Sequence, residues 1–408
     1  MSETKQKKQV VLLYTSTLIG VVLGMLSSIV NTNFMSPSEY GDVRYVQNII
    51  NFIASFLLFG YFLSGARLMA LSNHVLYSRR VKGVMIIILF IACIVLSIAM
   101  CICSMIHYKN SPNISFLFLV SIPVCFYPLL QNYTEQTTIG DNQIGRLAIT
   151  RLFPLLVYVP LAYLFYSKFG ASSTKMILLQ WGVYSIIYIC IIISTKPLFK
   201  KLRPVWNALQ KENDNYGIQL YIGSLVMVAT NYLAGISLGY FNEENIEVGF
   251  YTLALTVTAP LAYLPTIVGN TYFKKFATQQ QIPTKIIIFT VLLTCLSCIL
   301  FLLIIKPMVL FLYSERYAIV GRYASFLSIG YCVHGLGDMF NRYLCSHAQG
   351  KSVRNASVLN GIVKVIGYTV LVAWLNTNGA ILTTIICDMV YFTCLVYYYM
   401  RFVKKKLS

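Results

Sequence analysis

Five polar residues, Arg44, Gln47, Asn48, Asn51 and Ser55, recur at i, i+3, i+4, i+7 and i+11 within an otherwise apolar stretch. That spacing puts them on one stripe of a single helix. The chemistry on offer is recognition: a guanidinium for an anion, with amides and a hydroxyl for sugar-like partners. A second stripe repeats the pattern with His334, Asp338, Asn341, Arg342 and Cys345. Arg151, Pro154 and Tyr158 share a face of another apolar segment, Lys364 stands mid-segment near Asn360, and Asp388 lies in the last segment. No catalytic residue emerges, because His74, His107, His334 and His347 show no H-x-x-x-D or metal-ligand pattern. Cys295 and Cys298 have the spacing of a redox or metal pair, but with no His near them they read as buried small hydrophobes. Neither a metal nor a cofactor is expected.

The elements that position these residues are membrane spans. Hydrophobic residues make up 57% of the 408 and charged residues 11%, outside the range of a soluble domain. A window of about twenty residues predicts spans near 10–31, 42–66, 83–105, 113–133, 146–166, 175–195, 217–240, 247–270, 285–306, 323–346, 355–375 and 379–401. The fold class expected is all-α and polytopic, with about twelve transmembrane helices in two six-helix halves around a central cavity.

The net charge of +19 does not point to nucleic acid, because the Lys and Arg residues alternate between loops. Placing the N-terminus in the cytoplasm puts about 22 of them inside, from Lys5, Lys7 and Lys8 through Arg79, Arg80, Lys82, Lys200, Lys201 and Lys274 to Lys406. Only about six, Lys109, Lys168, Lys175, Lys306, Arg316 and Arg322, fall outside. The expected location is the inner membrane with both termini cytoplasmic. The first apolar run is long for a signal peptide, lacks an A-x-A site, and reads as a retained span.

A charge at mid-membrane costs about 2.5–3.5 kcal/mol on insertion scales, so embedded charges need a reason. This topology places Arg44 toward the outer face, Lys364 near the middle, and Arg151 and Arg342 toward the cytoplasm. The result is a ladder of cations with Asp338 and Asp388 as intramembrane carboxylates. Other readings stay open. Arg44 and Arg151 lie close enough to a membrane end to reach the interface. Arg342 has the i, i+4 spacing to pair with Asp338. Asp388 suits either an ion-coupling site or a structural hydrogen bond.

Laying Gly41 on Gly249 matches Glu39 with Glu247 and the third span with the ninth, as a six-helix duplication would. The lobes expected are 1–195 and 217–408, joined by a basic linker, 196–216. Leu198, Leu202, Val205, Trp206 and Leu209 would line one face of a short interfacial helix there, kinked by Pro204; a plain basic linker is the alternative. Pro123, Pro128, Pro154, Pro160, Pro260 and Pro265 mark bendable helices, and Gly20 with Gly24 forms a small-xxx-small contact.

The first helix, the SPSEYG turn at 36–41, the polar helix after it, twelve spans, a basic linker and embedded arginines together resemble one family. This is the polysaccharide-export branch of the multidrug/oligosaccharidyl-lipid/polysaccharide exporter superfamily, especially O-antigen flippases of the Wzx type. The resemblance implies alternating-access transfer of an undecaprenyl-diphosphate-linked oligosaccharide to the periplasmic leaflet. It also implies a cationic path through Arg44, Arg151, Arg342 and Lys364, with Asn48, Asn51 and Asn341 facing the sugar. Asp338 and Asp388 are the candidates for ion coupling. Partners implied are membrane lipid, a polysaccharide polymerase and a chain-length regulator. A multidrug and toxin extrusion antiporter shares the architecture but depends on embedded carboxylates. A membrane polymerase or acyltransferase would need a larger outer loop than the one near Lys306 to Arg322.

Overall fold

The computed structural model describes residues 3–72 and 74–407, with side chains throughout except at 3–14, 144, 223, 227, 274, 406 and 407. Lys5, Lys7, Lys8, Lys274 and Lys406 of the charge asymmetry therefore lie outside the described side chains. All regular structure among the described residues is helical. In order come α1 (Glu3–Phe34), α2 (Pro37–Phe56), α3 (Tyr61–Leu71), α4 (Val75–His107), α5 (Pro112–Ser121), α6 (Tyr127–Gly140), α7 (Ile144–Phe169) and α8 (Ser173–Ser194). There follow α9 (Leu202–Glu212), a π-helical turn (Asn213–Gly217), α10 (Ile218–Phe241), α11 (Ile246–Thr258), α12 (Pro260–Phe276) and α13 (Thr284–Tyr313). A 3-10 turn (Glu315–Tyr317), α14 (Ala318–Ser346) and α15 (Gly350–Leu407) complete the chain.

Among the described residues, eight helices are long and apolar enough to cross a membrane, and nine when the bent pair α2–α3 counts as one span. The α15 run contains a break at Asn376, whose φ of 50° and ψ of −129° are not helical, so its two arms carry the last two expected spans. Outer faces carry apolar stripes at helical spacing, such as Leu292, Leu296, Ile299 and Leu303 on α13 and Ile91, Ile94, Ile98 and Ile102 on α4, all exposed. Water would not tolerate such faces, whereas hydrocarbon does. The chain is an all-α, multi-pass membrane protein. Cys295 corrects one expectation: it is exposed on the α13 stripe rather than buried.

Local sequence explains where the helices start and stop. Ser36 caps α2 through a reciprocal capping box with Glu39, and Pro37 occupies the first turn. Pro123 and Pro128 bracket the interruption between α5 and α6, and Pro260 starts α12 one residue beyond α11. The same step separates Pro37 from Ile246 and Val75 from Thr284, within one residue of the step from Gly41 to Gly249. A Cβ added at Gly20 would lie 3.7 Å from Leu152, where α1 packs on α7, but one at Gly24 would meet open space.

The second span is not continuous as expected: α2 and α3 meet at 58°. Phe59 and Gly60 take positive φ there, and Gly60 at 77° is the residue type that does so without strain. The bend lets Gly60 approach the backbone of Gly217, the end of the π-helical turn, where Asn213 donates to the Phe59 carbonyl (3.1 Å) and accepts from Ser64 (3.1 Å). A Gly60 Cβ would lie 2.5 Å from the Gly217 carbonyl. Gly60→Ala is therefore expected to destabilise the protein by about 1–3 kcal/mol, read as a lower thermal midpoint in detergent; an unchanged midpoint would remove the close approach from the account.

The linker also differs from expectation. It forms α9, but Pro204 falls in the first turn, where no intrahelical N–H is lost, so it does not kink the helix. Val205 and Leu209 are buried against α4 and α3, and Leu198 precedes the helix, donating its N–H to the Arg79 carbonyl. The chain divides into two compact units, Met1–Ala229 and Thr230–Ser408, with the boundary inside α10.

Candidate functional site

In the first unit the α2 stripe is a hydrogen-bonded track. Arg44 Nη1 donates to Gln47 Oε1 (2.9 Å), and its guanidinium lies 4.9 Å from the Tyr40 ring. Gln47 Nε2 donates to Gln180 Oε1 (3.0 Å) on α8, and Gln180 reaches Ser27 on α1 (3.5 Å). Asn51 donates to the Gln47 carbonyl (2.8 Å), and Asn48 is half-buried on the same helix. The track ends at Ser55, which with Asn132, Gln136 and Tyr221 lines a cavity of about 240 Å³.

Arg151 is not part of this track. Its Nε donates to Glu135 on α6 at 3.3 Å. Glu135 lies just beyond the predicted end of the fourth span, so sequence reading missed it as the partner of Arg151. Tyr158, about two turns further along α7, donates to Asn31 (2.6 Å) and contacts Tyr166 (3.2 Å).

In the second unit the carboxylates are occupied. Asp338 accepts from Thr266 (3.0 Å) and from the Tyr391 hydroxyl (3.0 Å), while Asn341 donates to that hydroxyl (2.8 Å). Asp388 is buried and pairs with His334 Nδ1 (2.9 Å), whose ring stacks on Tyr391 at 4.7 Å. The i, i+4 pair of Arg342 with Asp338 is not formed. Instead the Arg342 stem lies against α12, close enough that a Gly269 Cβ would come within 3.1 Å of it, and its buried Nε has no hydrogen-bond partner. Lys364 donates to Asn231 (2.7 Å), a neutral partner.

Three cations of the ladder, Arg44, Arg342 and Lys364, thus have no carboxylate partner among the described residues, whereas Arg151 has one. The Nε of Arg44 is likewise buried without a partner. Leaving a buried donor unpaired costs about 1–3 kcal/mol, more when charged.

Sequence reading missed Gln180, Asn231 and Tyr391. Gln180 and Asn231 are amides within apolar runs and carried a signal; Tyr391 is one of 30 tyrosines and carried none. Tyr391→Phe keeps the ring against His334 but removes the hydroxyl joining Asn341 to Asp338. A loss of about 1.5–3 kcal/mol is expected for a hydrogen bond to a charged group; a thermal midpoint equal to wild type would show that Asp338 is satisfied without it.

No protein-family profile matches the chain, and neither does any curated protein sequence. Among solved structures the chain is similar to the lipid II flippase MurJ in an inward closed conformation, with a TM-score of 0.74, 15% identity, and coverage of 95% of this chain and 87% of that one. It is also similar to an inward-facing multidrug-resistance MATE family transporter of the MOP superfamily, with a TM-score of 0.68, 12% identity, and coverage of 97% and 100%. A third is a MOP superfamily transporter from Pyrococcus furiosus Vc1, whose binding pocket is described as reversed in polarity, with a TM-score of 0.59, 13% identity, and coverage of 97% and 96%. At these identities the likeness establishes the fold alone, which this chain shares with those three solved structures.

Proposed function

We propose that the protein is a flippase of the Wzx type. It moves undecaprenyl-diphosphate-linked oligosaccharide repeat units, such as O-antigen units, from the cytoplasmic to the periplasmic leaflet of the inner membrane by alternating access. The observation that carries this reading is the unequal treatment of embedded charges: Asp338 and Asp388 are engaged by neighbours, while Arg44, Arg342 and Lys364 have no carboxylate partner among the described residues. A diphosphate is the anion that guanidinium groups hold through paired hydrogen bonds. Asn48, Asn51 and Asn341 supply amides for the sugar, and Arg151, held by Glu135, flanks the path. The fold shared with a lipid II flippase supports a lipid-linked substrate. Lobes 1–195 and 217–408 with the basic linker 196–216, and cytoplasmic termini, complete the proposal. A polymerase and a chain-length regulator are its proposed partners downstream.

Asp338 and Asp388 are the proposed ion-coupling groups, and they also favour the second reading. A MATE-type antiporter needs embedded carboxylates, and the His334–Asp388 pair is one in a MATE-like fold. The two readings separate in a deletion strain assayed for surface polysaccharide and for the sidedness of the lipid-linked repeat unit. The flippase reading expects surface polymer to vanish and complete units to accumulate on the cytoplasmic leaflet. Intact surface polymer with gained sensitivity to cationic dyes would support the antiporter.

A further inference from the structure

A cavity of about 800 Å³ opens at one end of the first unit, sharing no residue with the polar stripes. Its walls come from the ends of α3 and α6, the first turns of α4 and α7, and the chain leaving α8. Four cations line it, Arg79, Lys82, Arg146 and Lys196, against one carboxylate, Asp141. That carboxylate is spent: it pairs with buried Lys82 and accepts from Ser78 (2.9 Å). Arg79 Nε donates to the Lys196 carbonyl (2.5 Å), which fixes the side chain and leaves its terminal nitrogens free of any carboxylate. Arg146 forms no ion pair among the described residues. Two long helices, α4 and α7, begin at this cavity, and neither has a side-chain cap, so their positive dipole ends reinforce the lining.

The rim is apolar. Val75 and Ile139 belong to the lining, and Leu71 and Ile193 follow or precede lining residues; all four are at least half exposed. A volume near 800 Å³ falls in the upper range of small-molecule sites. Cations inside and exposed aliphatics outside match an amphiphile.

We propose that this cavity binds the phosphate headgroup of an anionic membrane lipid, with the acyl chains on the Val75 and Ile139 rim. The recognising chemistry, a phosphate ester held by two arginines and a lysine, is shared with soluble phosphates, and the rim favours the lipid. The site stands whether the polar stripes carry a diphosphate lipid or another substrate.

The test uses the full-length protein in a neutral detergent, titrated with phosphatidylglycerol, phosphatidylcholine or inorganic phosphate. Bound lipids are counted by native mass spectrometry and stabilisation by thermal midpoint. Phosphatidylglycerol is expected to bind saturably and raise the midpoint. Arg79→Gln and Arg146→Gln should each weaken it about fivefold, as about one interfacial cation's contribution implies, while Arg203→Gln on α9 should not. Arg146→Gln, which breaks no internal bond, keeps the test valid if Arg79→Gln folds poorly. Equal responses to phosphatidylcholine, or undiminished binding in both variants, would overturn the site. Inorganic phosphate reproducing the full stabilisation would overturn the lipid assignment.

Discussion

Replacing Arg342 by alanine is expected to lower transport of a lipid-diphosphate substrate by about 10- to 100-fold. The estimate follows from losing a charge-assisted hydrogen-bonded contact worth about 1.5–3 kcal/mol. Its Nε is buried without a partner and its stem is wedged against Gly269, so the group is already ordered and pays little entropy on binding. Arg342→Lys should recover only part of the rate, because an ammonium cannot make the paired bonds of a guanidinium. The measurement is substrate translocation normalised to folded protein. If alanine transported as well as wild type while the fold was unchanged, Arg342 would be a packing residue and the cationic path would need another course.

The second large effect is on stability. Lys82 and Asp141 form an ion pair whose side chains are 6% and 15% exposed. Asp141→Asn leaves the ammonium in a poorly solvated site and is expected to cost about 3–5 kcal/mol. Replacing both residues together, Lys82→Met with Asp141→Leu, should restore most of the loss, since removing a buried pair altogether is often neutral. Thermal midpoints of the three proteins decide it. A double variant as unstable as Asp141→Asn would mean that the Ser78 hydrogen bond or the shape of the cavity matters more than the charges.

Span positions were readable because twenty-residue apolar runs and polar stripes leave strong patterns. The break between α2 and α3 was not, because LLFGYF stays apolar across it and only Gly60 hints at a bend. The stripe on α2 was legible from spacing, and the structure joins its members into one track. Partners brought from other helices were harder. Asp388 takes His334 from α14, although sequence spacing put Asp338 nearer. Arg342 remains open for the same reason: its i+4 neighbour is satisfied by Thr266 and Tyr391, and spacing alone could not reveal that competition. Lys82 read as one more loop charge, since its pairing with Asp141 depends on how α4 meets the turn after α6.

The most direct test is translocation in liposomes containing only the purified protein and a fluorescent undecaprenyl-diphosphate oligosaccharide, scored by the fraction of label reachable from outside. The account predicts transfer well above empty liposomes, lost in Arg342→Ala, competed by unlabelled lipid diphosphate and unaffected by an organic cation. No transfer above empty liposomes, together with uptake of the organic cation, would contradict it.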